Sequence, residues 1–121
     1  LAKENPFQDF VGIKLEKVNE AGSYLSLKLE PHHFNLYGII HGGVHSTILD
    51  IAMGIAGSYS GKKKEKISTI TLNLNINYLM ETKCEKIYAT GLIASRTHRL
   101  AFCEGRITDR NKNIKISLQF L

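Results

Sequence analysis

The sequence predicts an α+β domain in which a curved antiparallel sheet wraps around one long central helix, with the elements ordered β-β-α-β-β-β-β along the chain. Three observations carry this. The only long helical candidate covers about 42–59, and its residues Ile48, Leu49, Ile51, Ala52, Met53 and Ile55 cannot share one stripe, so the helix is expected to be buried on all sides. After it the hydrophobic period switches to two and stays there. A run of antiparallel strands accompanied by one helix must bury that helix against a sheet face. At 121 residues the chain reads as one domain over 1–121 with one core.

Each element has its own signal. Residues 1–10 hold a short N-terminal turn or helix, with Phe7 and Phe10 expected to dock on the body. Ile13, Leu15 and Val18 mark a first strand before a Glu20-Ala21-Gly22 turn. Tyr24–Glu30 alternates cleanly, with Leu25, Leu27 and Leu29 on one face, and Pro31 stops it. Beyond the helix, Ile70, Leu72, Leu74, Ile76 and Tyr78 alternate with Thr69, Thr71, Asn73, Asn75 and Asn77. Three more strands follow at Lys86–Ala94, Leu100–Asp109 and Ile114–Leu121, joined by turns at Arg96-Thr97-His98 and Arg110–Asn113. In the last of them Ile114, Ile116, Leu118 and Phe120 face one way.

Charge and composition narrow the function classes. The net charge is +5, but the basic residues are scattered apart from Lys62-Lys63-Lys64 and the group Arg96, His98 and Arg99. There is no basic helix and no strand mixing aromatic and basic residues, which argues against nucleic acid. No apolar run is long enough to span a bilayer and no secretory signal opens the chain. Cys84 and Cys103 stand singly, without a CxxC pattern. A cytoplasmic setting with both thiols packed as small hydrophobes is the expectation.

The chemistry concentrates in Phe34–Ala56. Asp50 is a single carboxylate inside an apolar helical segment, with no basic residue between His45 and Lys62. Such an acid needs a partner, a raised pKa or a task. Upstream, His41-Gly42-Gly43 opens the helix with two residues lacking side chains, so a ligand can approach free N–H groups at the positive end of the helix dipole. A Gly-Gly pair alone is an ordinary turn, and one helical Asp alone is an ordinary hydrogen-bonded residue. Their combination with Asn35 and His41 points to an active site. His32, His33, His45 and His98 have no carboxylate or Cys at ligand spacing, so no metal site is expected.

The pattern Asn35, Gly38, His41-Gly42-Gly43, Asp50 resembles the signature of hotdog-fold thioesterases of the phenylacetate-degradation (PaaI-like) type. The strand Thr71–Leu79, with Tyr78 followed by an aliphatic residue, and Arg99-Leu100-Ala101-Phe102 are similar to the family's strands as well. The likeness runs from residue 11 onward. It departs from the family at Leu79-Met80-Glu81, where an aliphatic-Arg-Pro or Ser-Pro sequence is usual. It also departs at Thr97, often a Gly, and at His45, commonly small or aliphatic.

The resemblance implies hydrolysis of an acyl-CoA to free acid and CoA, with no cofactor because CoA belongs to the substrate. By this likeness the Gly42 N–H, helped by Gly43, binds the thioester oxygen, and Asp50 serves as general base or nucleophile. Asn35 positions the carbonyl or the water, Thr71 lies near the attacking water with Asn73 as the fallback, and His41 holds the loop or assists the carbonyl. Tyr37, Ile39, Ile40, Met53 and Tyr59 are candidates for lining an apolar or aromatic acyl site. Arg96, His98, Arg99 and Lys62–Lys64 are candidates for the CoA phosphates. Asp50 lies eight positions after Gly42, or about 12 Å along a helix. One thioester therefore needs Gly42 from one chain and Asp50 from another, which predicts a homodimer, with a homotetramer built from it. A hotdog hydratase or dehydratase would pair a His with the acid to move a proton at carbon. A non-catalytic acyl-CoA-binding module would have no use for a buried acid.

Overall fold

The computed structural model describes residues 5–59, 68–79 and 84–110, together with the backbone of 114–120. After a six-residue helix α1 (Pro6–Val11) come strands β1 (Lys14–Asn19) and β2 (Gly22–Lys28), then a 3₁₀ turn at Pro31–His33. Helix α2 (Gly42–Ser58) is followed by β3 (Asn75–Tyr78), β4 (Lys86–Arg96), β5 (Ala101–Thr108) and β6 (Ile114–Phe120). The strands form one antiparallel sheet in the spatial order β1-β2-β4-β5-β6-β3. This is the expected hotdog architecture. The inward alternation expected for the β6 side chains lies outside the described residues.

The sheet seats α2 on its central strands. Leu25 and Leu27 of β2, Ile87 and Ala89 of β4, and Cys103 and Ile107 of β5 are all buried. They meet Ile48, Leu49, Ala52 and Met53 of α2. The buried helix positions 45, 48, 49, 52, 53, 56 and 57 recur at spacings of three and four, so they form one face. Burial on all sides is thus not what α2 shows within one chain. Asp50 and Gly54 lie on the side opposite this face and are only half-buried, and Ile51 and Ile55, packed against the margin of the core, are half-buried as well.

Small residues let the helix come close. The Ser23 hydroxyl donates to the Ala52 carbonyl at 2.5 Å from a fully buried position. A methyl group on Gly91 would lie 2.5 Å from the Ala52 carbonyl oxygen and 2.9 Å from Met53 N. No side chain fits there, so β4 must carry glycine where α2 crosses it.

Two expectations are corrected. Phe7 and Phe10 do not dock: they are 61% and 80% exposed, and α1 buries no residue. The six-residue helix instead turns Val11 toward the core and ends at Gly12 with φ 95°. Its Val11 carbonyl accepts from His33 Nε2 at 2.7 Å, while His33 Nδ1 accepts the Glu30 N–H. The strand expected from Thr69 onward pairs only over Asn75–Tyr78, where it runs beside β6 from Asn75↔Gln119 to Tyr78↔Ile116. Residues 68–74 run along α2 instead, held by Thr69 to the Ser58 hydroxyl and by Thr71 to Asp50. This places the two threonines against the helix and leaves Ile70 and Leu72 at 84% and 67% exposed, the reverse of the expected alternation.

Gly91→Ala should therefore destabilise the fold by about 1–3 kcal/mol or more, since the added methyl meets backbone that cannot rotate away. The midpoint of urea unfolding at constant m-value measures it. A loss below about 0.5 kcal/mol, the range of neutral surface changes, would mean that the helix does not sit this close.

Candidate active site

The start of α2 is built by the loop before it. The Asn35 Oδ1 accepts the N–H groups of Tyr37 and Ile39 at 2.9 and 3.3 Å, and Gly38 takes φ 77°. The backbone bridge Phe34↔Ile40 closes this small loop, and the His41 N–H donates to His33 O at 2.9 Å. His41 then caps the helix from an extended conformation (φ −61°, ψ 135°), its Nδ1 accepting the Gly43 N–H at 2.8 Å. In the neutral ring this puts the proton on Nε2. The Gly43 amide is thus engaged, whereas the Gly42 N–H has no hydrogen-bond partner among the described residues. Of the two glycine donors considered, Gly42 is the available one.

Asp50 sits two turns further on, on the face that the sheet leaves open. It is half-buried rather than enclosed, a correction to the reading of a buried acid. Thr71 donates to its Oδ1 at 2.5 Å. Among the described residues the other carboxylate oxygen accepts no bond. Because the Thr71 proton points at Asp50, the threonine's lone pairs remain available to a donor such as water. Asn73 is turned elsewhere, accepting from Asn75 Nδ2 at 2.8 Å on an exposed surface.

Beside this pair a cleft of about 560 Å³ opens between α2, residues 68–72 and the β4–β5 hairpin. It brings together Met53, Thr71, Arg96, His98 and Arg99, with Leu72, Leu100 and Cys103 adding apolar surface. Met53 is fully buried in the core and also lines the cleft. Ile40 is likewise a core residue, while Tyr37 is 77% exposed at the tip of its loop; neither lines this cleft. Arg96 donates from Nη2 to the Gly57 carbonyl at 2.7 Å, satisfying a group at the negative end of α2. That leaves His98 and Arg99 as the exposed basic pair of the turn, which Thr97 closes through its N–H to Leu100 O and its Oγ1 from Leu100 N. A hydroxyl replaces the glycine common at this turn. Lys62–Lys64 and Glu81 lie outside the described residues.

Two further groups shape the site without having been singled out for it. Tyr78 reaches back from the end of β3, donating to the Gly42 carbonyl at 2.9 Å. Its Oη lies 2.9 Å from Ser46 Oγ. His45, in the first turn of α2, is buried with neither ring nitrogen partnered among the described residues, and burial pulls its pKa down to about 4. Burial also pushes the Cys103 thiol up, against a smaller opposing pull from the Arg96 charge. The sequence marks His45 only as an unusual residue at a helix position, and a contact from residue 78 to residue 42 leaves no local signal.

The fold and the site's outline define a class, the hotdog proteins. The family can then be stated: a model of the thioesterase superfamily matches residues 37–115, and the chain belongs to that superfamily. A protein of Saccharolobus solfataricus, provisionally named an esterase, is 29% identical over 115 residues, covering 94% of this chain and 74% of that protein. Among solved structures, a conserved protein of Pseudomonas aeruginosa superposes with TM-score 0.87 at 20% identity, over 97% of this chain and 91% of that one. The PaaI protein of the E. coli phenylacetic acid degradation operon superposes with TM-score 0.87 at 13% identity, over 98% and 83% of the two chains. Among the described residues no helix is long and apolar enough to cross a membrane.

His45 gives the site region a pH signature. Its folded pKa of about 4 lies below the ordinary 6.5, so the unfolded state binds the extra proton. Stability from this group is complete above pH 6.5 and is lost as pH falls toward 4, by about 1–3 kcal/mol in all. His45→Phe should flatten that part of the decline in urea midpoints measured between pH 7 and 4.5. Equal declines in the two proteins would show that the imidazole is not held neutral by burial.

Proposed function

We propose that this chain hydrolyses acyl-CoA thioesters, with Asp50 as general base and the Gly42 N–H as oxyanion donor. The observation that carries the reading is the Asp50–Thr71 pair on the open face of a helix whose Gly42 amide is unpartnered among the described residues. The sheet leaves that face open for a substrate. A water held by Thr71 Oγ1 would give its proton to the unengaged oxygen of Asp50 as it attacks the thioester carbon. The carbonyl electrons would move onto oxygen, stabilised by Gly42, and collapse would expel the CoA thiolate. Removing one such preorganised donor typically slows turnover by about 10²–10³.

Gly42 and Asp50 stand eight residues apart on one continuous helix, which is about 12 Å. One carbonyl does not reach both, so the proposal includes a dimer in which each site takes Gly42 from one chain and Asp50 from its partner. The exposure of Ile70, Leu72 and Leu79 beside this face supports a partner there. The apolar side of the cleft suits an apolar or aromatic acyl group. His98 and Arg99 at its rim suit the phosphates of CoA.

With acyl-CoAs of graded chain length, release of free CoA followed with a chromogenic thiol reagent should reveal turnover. Asp50→Asn should lower kcat by about 10²–10⁴ while leaving KM near the wild-type value. The substitution keeps volume and one acceptor, so it spares the contact with Thr71. A variant retaining more than about a tenth of wild-type kcat would remove Asp50 from the base role.

A further inference from the structure

We infer that Tyr78 is a positioning residue of this site, holding the Gly-Gly step so that the Gly42 amide keeps one orientation. The inference rests on the thioester-hydrolase reading above. Two adjacent glycines at a helix start are conformationally loose, and an oxyanion donor must not be. The structure supplies a lock from another element. Tyr78 Oη donates to the Gly42 carbonyl at 2.9 Å, Ser46 Oγ approaches the same oxygen at 3.1 Å, and the two hydroxyls lie 2.9 Å apart.

The Gly42 carbonyl belongs to the same peptide unit as the Gly43 N–H, which donates to His41 Nδ1 at 2.8 Å. A continuous chain therefore runs from the Tyr78 hydroxyl through the Gly42–Gly43 peptide to the His41 ring. Donors on the carbonyl strengthen the N–H as a donor in turn. The peptide plane next to the Gly42 N–H is held from both ends. The phenol ring also covers the turn, since a methyl on Gly42 would lie 3.4 Å from Tyr78 Cε1 and Oη.

The ring has its own support. Its centroid lies 6.1 Å from that of His45, edge to face at 66°. His45 is 3% exposed with both nitrogens unpartnered among the described residues, so hydrogen bonding within them does not account for its place. Serving as the wall behind Tyr78 does. From the other side, the ladder Tyr78↔Ile116 anchors the residue at the end of β3. Thus the sheet edge dictates the geometry of the helix start.

The test is Tyr78→Phe, which removes the hydroxyl and keeps the ring. We expect kcat for acyl-CoA hydrolysis to fall about tenfold, with KM within about twofold and little change in Tm. The Gly43 amide should exchange its hydrogen at least about tenfold faster, as its peptide unit loses a fixed partner. A kcat within twofold of wild type overturns the inference, and so does a loss seen in KM alone, which would make Tyr78 a substrate contact. If Tyr78→Phe fails to fold, Ser46→Ala opens the same triangle and is judged by the same criteria. If the wild-type protein turns over no thioester, the hydrolase reading fails, and the Gly43 exchange rate still decides whether Tyr78 holds the turn.

Discussion

The structure depends on how closely α2 approaches the centre of the sheet. At the crossing of α2 with β2 and β4, little separates helix from strand backbone: the Ser23 hydroxyl donates directly to the Ala52 carbonyl, and Gly91 has no room for a methyl. Contact this tight fixes both the height of the helix and its rotation about its axis. With Leu49, Ala52, Met53 and Ala56 turned down, Asp50 and Gly54 are obliged to turn up. The carboxylate owes its place to packing one residue away. A slip of one position in this seating would exchange core and site residues together.

The two groups of the proposed chemistry are then placed by different means. Asp50 stands on a rigid helix and is oriented by a neighbouring segment through Thr71. Gly42 stands at a helix end, where the loop held by Asn35, the imidazole of His41 and the hydroxyl of Tyr78 take over the positioning. Every one of these contacts leaves the Gly42 N–H itself unengaged among the described residues, as the proposed oxyanion role requires.

Much of this was legible in the sequence because it is periodic or local. The clean alternation of Leu25 and Leu27 marked β2, and the His41-Gly42-Gly43 step marked the start of α2 within a residue. What could not be read was long-range. Thr69 and Thr71 look like the polar face of a strand, yet they turn to α2 because Ser58 and Asp50 offer them partners. Phe7 and Phe10 look like anchors, but α1 is too short to bring them and Val11 to the core together. Arg96 looks like a free cation until the Gly57 carbonyl claims it. Each case is decided by tertiary geometry, where local pattern has no purchase.

The central claim is that one site draws on two chains, and subunit mixing tests it most directly. Asp50→Asn and a Gly42→Val variant that crowds the amide should each be inactive alone. After exchange of subunits, verified by native mass, a heterodimer holds one site with both defects and one with neither. Activity should then return to about half that of a wild-type dimer per heterodimer formed. If the heterodimer forms and stays inactive, Gly42 and Asp50 do not serve a common thioester across an interface, and the account of this site is wrong.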